Sequence, residues 1–332
     1  MKERQQQLAG IVGLALAFPV IGTSQGLADP TCGDTLTADV TLSAHLSCSN
    51  PGADGLIIGG DGVTLDLNGH TISGPGIVGV RIVGTNSTVI NTGSRPGTIE
   101  GFQYGVYLNP TQGAKVIGLT LTGNGKGIAA GSAHWNIITG NNISANTEDG
   151  IHLGLSSNNR ISGNTISKND FGIAIANSSH ANILSGNTLS KNRNFGIAIF
   201  CGSDSNLIMD NSVTKTNGGE GNGIIVRSGS DDTEVRGNAA NLNAGDGIHV
   251  DDGCCCQSAA DNVMPLDTVI AENTANRNDD DGIEVDTTGT TTVQDNTTNV
   301  NGDLGIQAPY TCDGGGNVAK RNGNPLQTNW GC

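Results

Sequence analysis

The stretch GIHLGLSSNNRISGNTISKNDF, residues 150–171, contains the pattern that decides the fold. A glycine opens it, and three short groups of Ile and Leu residues follow, separated by asparagine, serine and glycine. The next stretch starts at Gly172 and repeats this arrangement, with Ile173 and Ile175 in its first group. Short groups rich in β-branched residues and bounded by Asn and Gly are typical of strands that end in turns. Each unit therefore predicts three short strands whose apolar residues point inward.

The opening glycine, followed by an apolar residue, recurs through most of the chain. It occurs at Gly55, Gly79, Gly105, Gly127, Gly150, Gly172, Gly196, Gly223, Gly247, Gly282 and Gly305. A period of about 23 residues is too short for two-helix repeats, and the leucine ladder of leucine-rich repeats is missing. The pattern favours an all-β parallel solenoid of about 10 to 11 coils, in which stacked coils about 4.8 Å apart share one core.

Asparagines recur at fixed places where the strands must turn. One predicted column contains Asn141, Asn164, Asn187, Asn211, Asn238, Asn273 and Asn296, and a second contains Asn146, Asn169, Asn192, Asn243, Asn278 and Asn301. The side-chain amide has both a donor and an acceptor, and Asn tolerates left-handed turns. We therefore expect both columns to be structural ladders of hydrogen bonds.

The composition narrows the functional classes. The 332 residues include 51 glycines and only 3% aromatics, which argues against a helical bundle or an ordinary α/β enzyme. The formal net charge is −15, whereas binding to a nucleic-acid backbone requires clustered Lys and Arg. We therefore expect no nucleic-acid partner.

The repeat GI-x-L-x-x-S-x-x-N-x-I-x-GN-x-I-x-x-N resembles that of right-handed parallel β-helix proteins in the pectate-lyase superfamily, in their NosD-like or carbohydrate-binding and sugar-hydrolysis form. The resemblance covers residues 55 to about 305. It implies a single-stranded, right-handed parallel β-helix and a polysaccharide or other glycan as partner. The superfamily includes lyases, hydrolases, epimerases, phage tailspikes and proteins without known catalysis, so whether the chain is an enzyme stays open.

The chain ends predict export and closed caps. Residues 1–28 have the basic start, short apolar stretch and small residues of a secretory signal peptide, and no later segment is apolar enough to span a membrane. We expect an N-terminal cap at 29–54, the β-helix at 55–308 and a C-terminal cap at 309–332. In an oxidising compartment, disulfides Cys32–Cys48 and Cys312–Cys332 would close the two caps. The partners of Cys201 and of Cys254, Cys255 and Cys256 stay open.

Three late coils place charged residues at outward positions where other coils have small ones. The candidate catalytic residues are Arg227, Asp246, His249, Asp251 and Glu284. A lyase or epimerase acting on uronic acids needs a cation or Arg to neutralise the carboxylate, and a His or Tyr with a carboxylate to move protons. Histidine is the group that titrates near neutral pH. The other interpretation is a solvated acidic face, or Ca²⁺ held by Asp279, Asp281 and Asp286.

A second candidate surface is the column of Lys168, Lys191 and Lys215. Each of these lysines lies one residue before a position of the second turn column in three consecutive coils. This column could bind carboxylates of an acidic glycan. His152 occupies the same outward position as His249, and we expect it to stand alone about four coils away. A copper role is not favoured, because beyond the signal peptide only Met209 and Met264 offer thioethers and no His–Met cluster is apparent.

These observations favour a secreted, periplasmic or cell-surface β-helix protein that engages carbohydrate. One alternative is a polysaccharide lyase or C5-epimerase acting on a uronate-containing polymer. The other is a non-catalytic structural or surface scaffold.

Overall fold

The computed structural model describes residues 29–253, 264–325 and 327–331. Within these ranges the chain forms strands and no helix, so no helix there could cross a membrane. The strands, numbered β1 to β35 in chain order, assemble into parallel sheets that the chain visits in turn. The predicted right-handed parallel β-helix is confirmed.

The first sheet has 13 strands. In spatial order they are β1 (Asp34–Leu36), β4 (Leu56–Ile58), β7 (Val78–Ile82), β10 (Tyr104–Leu108), β13 (Lys126–Gly131), β16 (Ile151–Gly154), β19 (Phe171–Ala176), β22 (Phe195–Ile199), β25 (Ile224–Arg227), β28 (Ile248–Asp251), β30 (Ile283–Asp286), β33 (Ile306–Ala308) and β35 (Thr328–Trp330). The strands from β4 to β33 contain or directly follow the predicted glycines. The two end strands, β1 and β35, lie in the segments predicted as caps.

The other sheets follow the same coils. The second contains β2 (Val40–Thr41), β5 (Thr64–Asp66), β8 (Thr88–Ile90), β11 (Lys115–Ile117), β14 (Ile137–Thr139), β17 (Arg160–Ser162), β20 (Ile183–Ser185), β23 (Leu207–Met209), β26 (Glu234–Arg236), β29 (Thr268–Ala271) and β31 (Thr291–Gln294). The third contains β3 (Leu46–Ser47), β6 (Thr71–Ser73), β9 (Gly97–Glu100), β12 (Leu119–Thr122), β15 (Asn142–Ser144), β18 (Thr165–Ser167), β21 (Thr188–Ser190), β24 (Ser212–Thr214) and β27 (Ala239–Asn241). Single bridges through Thr274 connect β27 to a final pair, β32 (Thr297–Asn299) and β34 (Val318–Lys320).

One continuous apolar core runs along the axis of the β-helix. Ile128, Ile151 and Ile173 pair in register on successive coils of the first sheet and are fully buried. The core is therefore a stack of equivalent side chains, as the repeat predicts, and each coil depends on its neighbours for burial.

The two predicted asparagine columns are confirmed as hydrogen-bonded ladders. In Asn164, both the backbone N–H and the side-chain Nδ2 donate to Oδ1 of Asn187 in the next coil, each at 3.0 Å. Nδ2 also donates to the carbonyl of Ile138 in the preceding coil at 3.0 Å. At its C-terminal end the second column stops at Asn322, which donates to the side-chain carbonyl of Gln327.

The structure adds a third ladder that the sequence analysis missed. It consists of Asn136, Asn159, Asn182 and Asn206, each of the first three donating to the next. These asparagines precede the strands of the second sheet, so three corners of the triangular coil are held by buried amides.

The N-terminal disulfide is confirmed: Cys32 and Cys48 are bonded, with their Cα atoms 5.7 Å apart. Cys201 and Cys312 are also disulfide-bonded. Cys254, Cys255, Cys256 and Cys332 lie outside the described residues, as does the predicted signal peptide at 1–28. The pairing of Cys312 with Cys332 stays a prediction.

Candidate functional site

The candidate residues lie on the solvent side of the first sheet, which we call the outer face. In its central column, Ile225, His249 and Glu284 are register partners on β25, β28 and β30. Arg227, Asp251 and Asp286 form the next column by the same pairing. Residues two apart in a strand face the same side, so adjacent coils bring these side chains within one strand spacing of each other.

We define the His249 cluster as Asp246, His249, Asp251, Asp281 and Glu284. His249 Nδ1 lies 2.9 Å from Asp246 Oδ2 and 3.3 Å from Glu284 Oε2, while Nε2 is 3.6 Å from Asp251 Oδ2. Nε2 is buried and has no hydrogen-bond partner. A ligand must therefore displace a neighbouring side chain before it can reach this nitrogen.

Three members of the His249 cluster, His249, Asp281 and Glu284, have raised pKa values. Burial lowers the pKa of His249, but the hydrogen bond and charge of Asp246, with the charges of Glu284 and Asp251, outweigh burial and raise that pKa. Burial and neighbouring carboxylates raise the pKa of Asp281 and that of Glu284 to about 7 each. The cluster can thus take up or release protons between mildly acidic and neutral conditions.

Arg227 was predicted to hold substrate, and the structure gives it two carboxylate partners. Its Nε and Nη2 donate to Asp251 at 2.9 and 2.5 Å, and Nη1 and Nη2 donate to Glu220 at 3.1 and 2.8 Å. The guanidinium also lies 5.6 Å from the ring centroid of Phe195. A substrate carboxylate would therefore compete with Asp251 and Glu220 for this cation.

The acids proposed for calcium do not all come together. Carboxylate oxygens of Asp246, Asp280 and Asp281 lie within 4.8 Å of one another, whereas Asp279 and Asp286 are exposed and lie outside that group. Asp281, in contrast, is buried. Its position directly precedes the coil glycine, and its backbone N–H donates a hydrogen bond to Asp246 Oδ1 at 2.9 Å. Calcium takes six to eight oxygen ligands, and this group brings three carboxylates together. The Ca²⁺ site therefore stays a prediction.

The lysine column lies at the corner between the third and first sheets. Lys168, Lys191 and Lys215 directly follow β18, β21 and β24, are exposed, and have φ of 60°, 58° and 58°. The three side chains are therefore beside the outer face and not on it. Their role in substrate binding stays a prediction.

His152 does not stand alone, contrary to our expectation. Its Nδ1 lies 2.8 Å from Asp149 Oδ2, and Lys126 Nζ from the preceding coil lies 2.5 Å from the same oxygen. We define the His152 cluster as Lys126, Asp149 and His152. The signal that could have revealed it is the tetrapeptide Asp-Gly-Ile-His, which occurs at residues 149–152 and again at 246–249.

An aromatic patch lies between the two clusters on the outer face. Phe171 and Phe195 are register partners with ring centroids 5.1 Å apart, and Phe200 lies 6.5 Å from Phe171. These rings pack with Ala198 and Ile225 in a small apolar group separate from the core. Phe171 and Phe200 are only partly buried, so the patch offers apolar surface to a ligand.

The fold and this face together define a class: the right-handed parallel β-helix proteins that resemble pectate lyases. Within that class, the family model for NosD, described as periplasmic copper-binding protein, matches residues 53–222. This match extends over more than half of the chain, and the chain belongs to the NosD family. No curated protein sequence matches it significantly.

Solved structures show the same fold at low sequence identity. The periplasmic alginate epimerase AlgG is 13% identical with a TM-score of 0.57, over 88% of this chain and 78% of that protein. An alginate lyase from Paenibacillus sp. str. FPU-7 is 16% identical with a TM-score of 0.58, over 89% and 100%. Pectate lyase Pel9A is 14% identical with a TM-score of 0.53, over 74% and 71%.

The copper in the family description can be tested against the donors in this chain. Among the described residues, the groups with three or more close donors are Asp246–His249–Glu284 and Asp246–Asp280–Asp281. They offer one imidazole and otherwise carboxylates, whereas copper favours several imidazoles or sulfur ligands. His45 and His70 have ring centroids 5.3 Å apart, but no third donor joins them in a close group within the described ranges. The described residues therefore do not fit a copper site.

Proposed function

We propose that this protein works outside the cytoplasm and engages a linear polysaccharide along its outer face. The family description and the AlgG structure both name periplasmic proteins. Structures with the same fold include an alginate epimerase, an alginate lyase and a pectate lyase. These comparisons support carbohydrate as the class of ligand.

The observation that carries the proposal is the order of groups on the outer face. The aromatic patch of Phe171, Phe195 and Phe200 lies between the His152 cluster and the His249 cluster. Sugar rings present apolar C–H surfaces together with hydroxyl groups, so binding sites for them combine aromatic surface with a few polar side chains. The outer face has both along a line parallel to the axis of the β-helix.

The enzyme alternative is a lyase or C5-epimerase that acts on a uronate-containing polymer. Carboxylate oxygens of Asp246 and Glu284 lie within 4.8 Å of one another, and His249 contacts both carboxylates. The contact between His249 and Glu284, two groups whose pKa values are raised toward or above neutral pH, suits a reaction that removes and returns one proton. In this alternative, His249 is the acid and Arg227 neutralises the substrate carboxylate.

Binding is tested with a glycan panel that includes alginate, pectate and neutral polysaccharides. We expect Phe171→Ala combined with Phe200→Ala to weaken binding by tenfold or more, because the patch loses its stacking surface. Trp135→Ala is the matched control, since Trp135 is an exposed aromatic residue that precedes β14 of the second sheet. Equal binding by wild type and patch variant would contradict the proposal, and failure to bind any glycan would favour the scaffold alternative.

Catalysis is tested separately on the same polymers. Lyase action creates an unsaturated uronate that absorbs in the ultraviolet, and epimerisation changes the residue composition seen by NMR. In the enzyme alternative, His249→Ala abolishes turnover and leaves binding by the aromatic patch in place. Binding without turnover on every uronate polymer would reject the enzyme alternative while the binding proposal stands.

A further inference from the structure

The N-terminal half of the outer face contains a second pair of polar groups that point toward one open space. Tyr107, Ala129 and His152 are register partners on β10, β13 and β16, so Tyr107 and His152 occupy one column with only an alanine between them. In the adjacent column Gly131 pairs with Gly154. The surface between Tyr107 and His152 is therefore lined by residues with almost no side chain.

Tyr107 Oη and His152 Nε2 each lie close to a glycine of the adjacent column. A Cβ atom at Gly131 would lie 2.9 Å from Tyr107 Oη, and one at Gly154 would lie 3.7 Å from His152 Nε2. Gly131 and Gly154 are neighbours on adjacent strands, about 4.8 Å apart. Tyr107 Oη and His152 Nε2 thus stand over neighbouring glycines, separated by about one strand spacing.

His152 is held in one orientation by Asp149. Burial raises the pKa of Asp149, but the hydrogen bond with His152 and the charge of Lys126 outweigh burial and hold that pKa below its ordinary value. The ionised Asp149 accepts the proton of His152 Nδ1 at 2.8 Å. Because Nδ1 is engaged by Asp149, Nε2 is the ring nitrogen left for a ligand hydroxyl, which can act as donor or acceptor toward it.

Tyr107 is held just as firmly. Its ring stacks on Tyr104 with centroids 5.1 Å apart, and the guanidinium of Arg81 lies 5.4 Å from the ring centroid. Asn109 Nδ2 donates to Tyr107 Oη, so the phenol keeps its own hydrogen for another acceptor. The space between Tyr107 and His152 is flanked by the phenol hydroxyl of Tyr107 and by the second ring nitrogen of His152.

We infer that Tyr107 and His152 form a saccharide subsite that binds two hydroxyl groups of one pyranose residue. The inference rests on the proposed function, because this residue belongs to the same extended chain that passes over the aromatic patch. His152 and His249 lie in one column of the first sheet, four strand spacings or about 19 Å apart. A pyranose residue in an extended chain advances by a distance close to one strand spacing, so a ligand that contacts both clusters has at least five residues.

The test measures affinity against ligand length. Disaccharides, tetrasaccharides and octasaccharides from alginate, pectate and cellulose are titrated into wild type and into the double variant Tyr107→Phe with His152→Gln. For wild type we expect the tetrasaccharide to bind at least tenfold more tightly than the disaccharide, because β16 with His152 lies directly beside β19 of the patch and four residues reach both. In the double variant this gain disappears, as loss of one or two hydrogen bonds predicts, and disaccharide binding at the patch stays unchanged.

A second variant leaves Tyr107 and His152 in place. Gly154→Leu puts a side chain into the open space, and its Cβ meets its neighbours only at ordinary contact distances of 3.7 Å or more. We expect it to lose the same gain with length, while Trp135→Ala keeps it. A length gain that survives in the double variant and in Gly154→Leu overturns the subsite and leaves the proposed function standing. If wild type binds none of these oligosaccharides or their parent polymers, the proposed function itself fails.

Discussion

The His152 and His249 clusters begin from the same tetrapeptide, Asp-Gly-Ile-His, at the same place in their coils. In both, histidine Nδ1 lies within 3 Å of the aspartate three residues earlier. They differ in what the neighbouring coils supply. Lys126 contacts Asp149 in the first cluster, whereas Asp281 and Glu284 face Asp246 and His249 in the second. Residues one coil away thus decide how an identical local motif is protonated.

The clusters also differ in access. His152 Nε2 stands over a glycine, while His249 Nε2 is buried and without a hydrogen-bond partner. A ligand can therefore reach His152 Nε2 without a rearrangement, whereas it cannot reach His249 Nε2 until a side chain moves. This contrast leads to four predictions.

The largest effect is expected from removal of the lysine in the His152 cluster. Lys126→Met leaves the buried Asp149 without its cation and should lower the free energy of unfolding by about 3–5 kcal/mol at pH 7. The counterpart Arg227→Met should cost less, because its more buried partner Asp251 is 19% exposed, against 9% for Asp149, and water can solvate Asp251 better. Urea unfolding of both variants measures the difference, and equal losses would contradict the contrast between the clusters.

Opposite pH dependences are expected for one carboxylate from each cluster. Asp281 has a pKa of about 7 in the folded protein and near 3.8 in the unfolded chain. Its contribution to the free energy of unfolding is therefore complete below pH 3.8 and is lost as the pH rises to 7. Asp281→Asn should therefore stabilise the protein at pH 8, by about 2–4 kcal/mol at about 1.4 kcal/mol per unit of pKa, and have little effect near pH 4.

Asp149→Asn should show the reverse. Because the pKa of Asp149 is lowered in the folded protein, ionised Asp149 stabilises the fold at pH values above the ordinary aspartate pKa. This stabilisation is lost as the pH falls through the lowered pKa. This variant should be destabilised at pH 8 and approach wild type in strong acid. Melting temperatures across the pH range measure both variants, and slopes of the same sign would reject the assigned protonation states.

The third effect concerns His249 itself. Asp246→Asn removes the hydrogen bond and the charge that oppose burial, so the pKa of His249 should fall. NMR titration of the imidazole Cε1 proton reports this value directly. Glu284→Gln is the matched control with a smaller decrease; a larger decrease for Glu284→Gln would show that Asp246 is not the main partner.

The smallest effect is expected at the lysine column, which runs along coils between the two clusters. Replacing Lys168, Lys191 and Lys215 together by Asn keeps a residue type that tolerates φ near 60°. If the column binds acidic glycan, affinity for alginate should fall a few-fold at low salt, and the difference should vanish at high salt. Unchanged affinity at low salt would remove the column from the binding surface.

Much of the fold could be predicted because it depends on short-range patterns. The recurring glycines and two asparagine columns are visible in the sequence and map directly onto coils. Asn159 and its equivalents were missed because adjacent serines and asparagines hide which of them points inward. At the site, the strand period placed His249 and Glu284 in one column. It could not show that Lys126 reaches Asp149 or that Tyr107 leans over Gly131, because side-chain direction depends on packing in the neighbouring coil.

The asparagine ladders have a direction. In the first ladder each asparagine side chain donates to the asparagine of the next coil toward the C-terminus, and in the second ladder Gln327 supplies the final acceptor for Asn322. A duplicated coil would present the same donors and acceptors on its two sides as the coil from which it was copied. The gene can thus lengthen or shorten this protein in whole coils without redesigning either end. A coil gained or lost between the two histidine clusters would change their distance by one strand spacing, and with it the length of any ligand that could reach both.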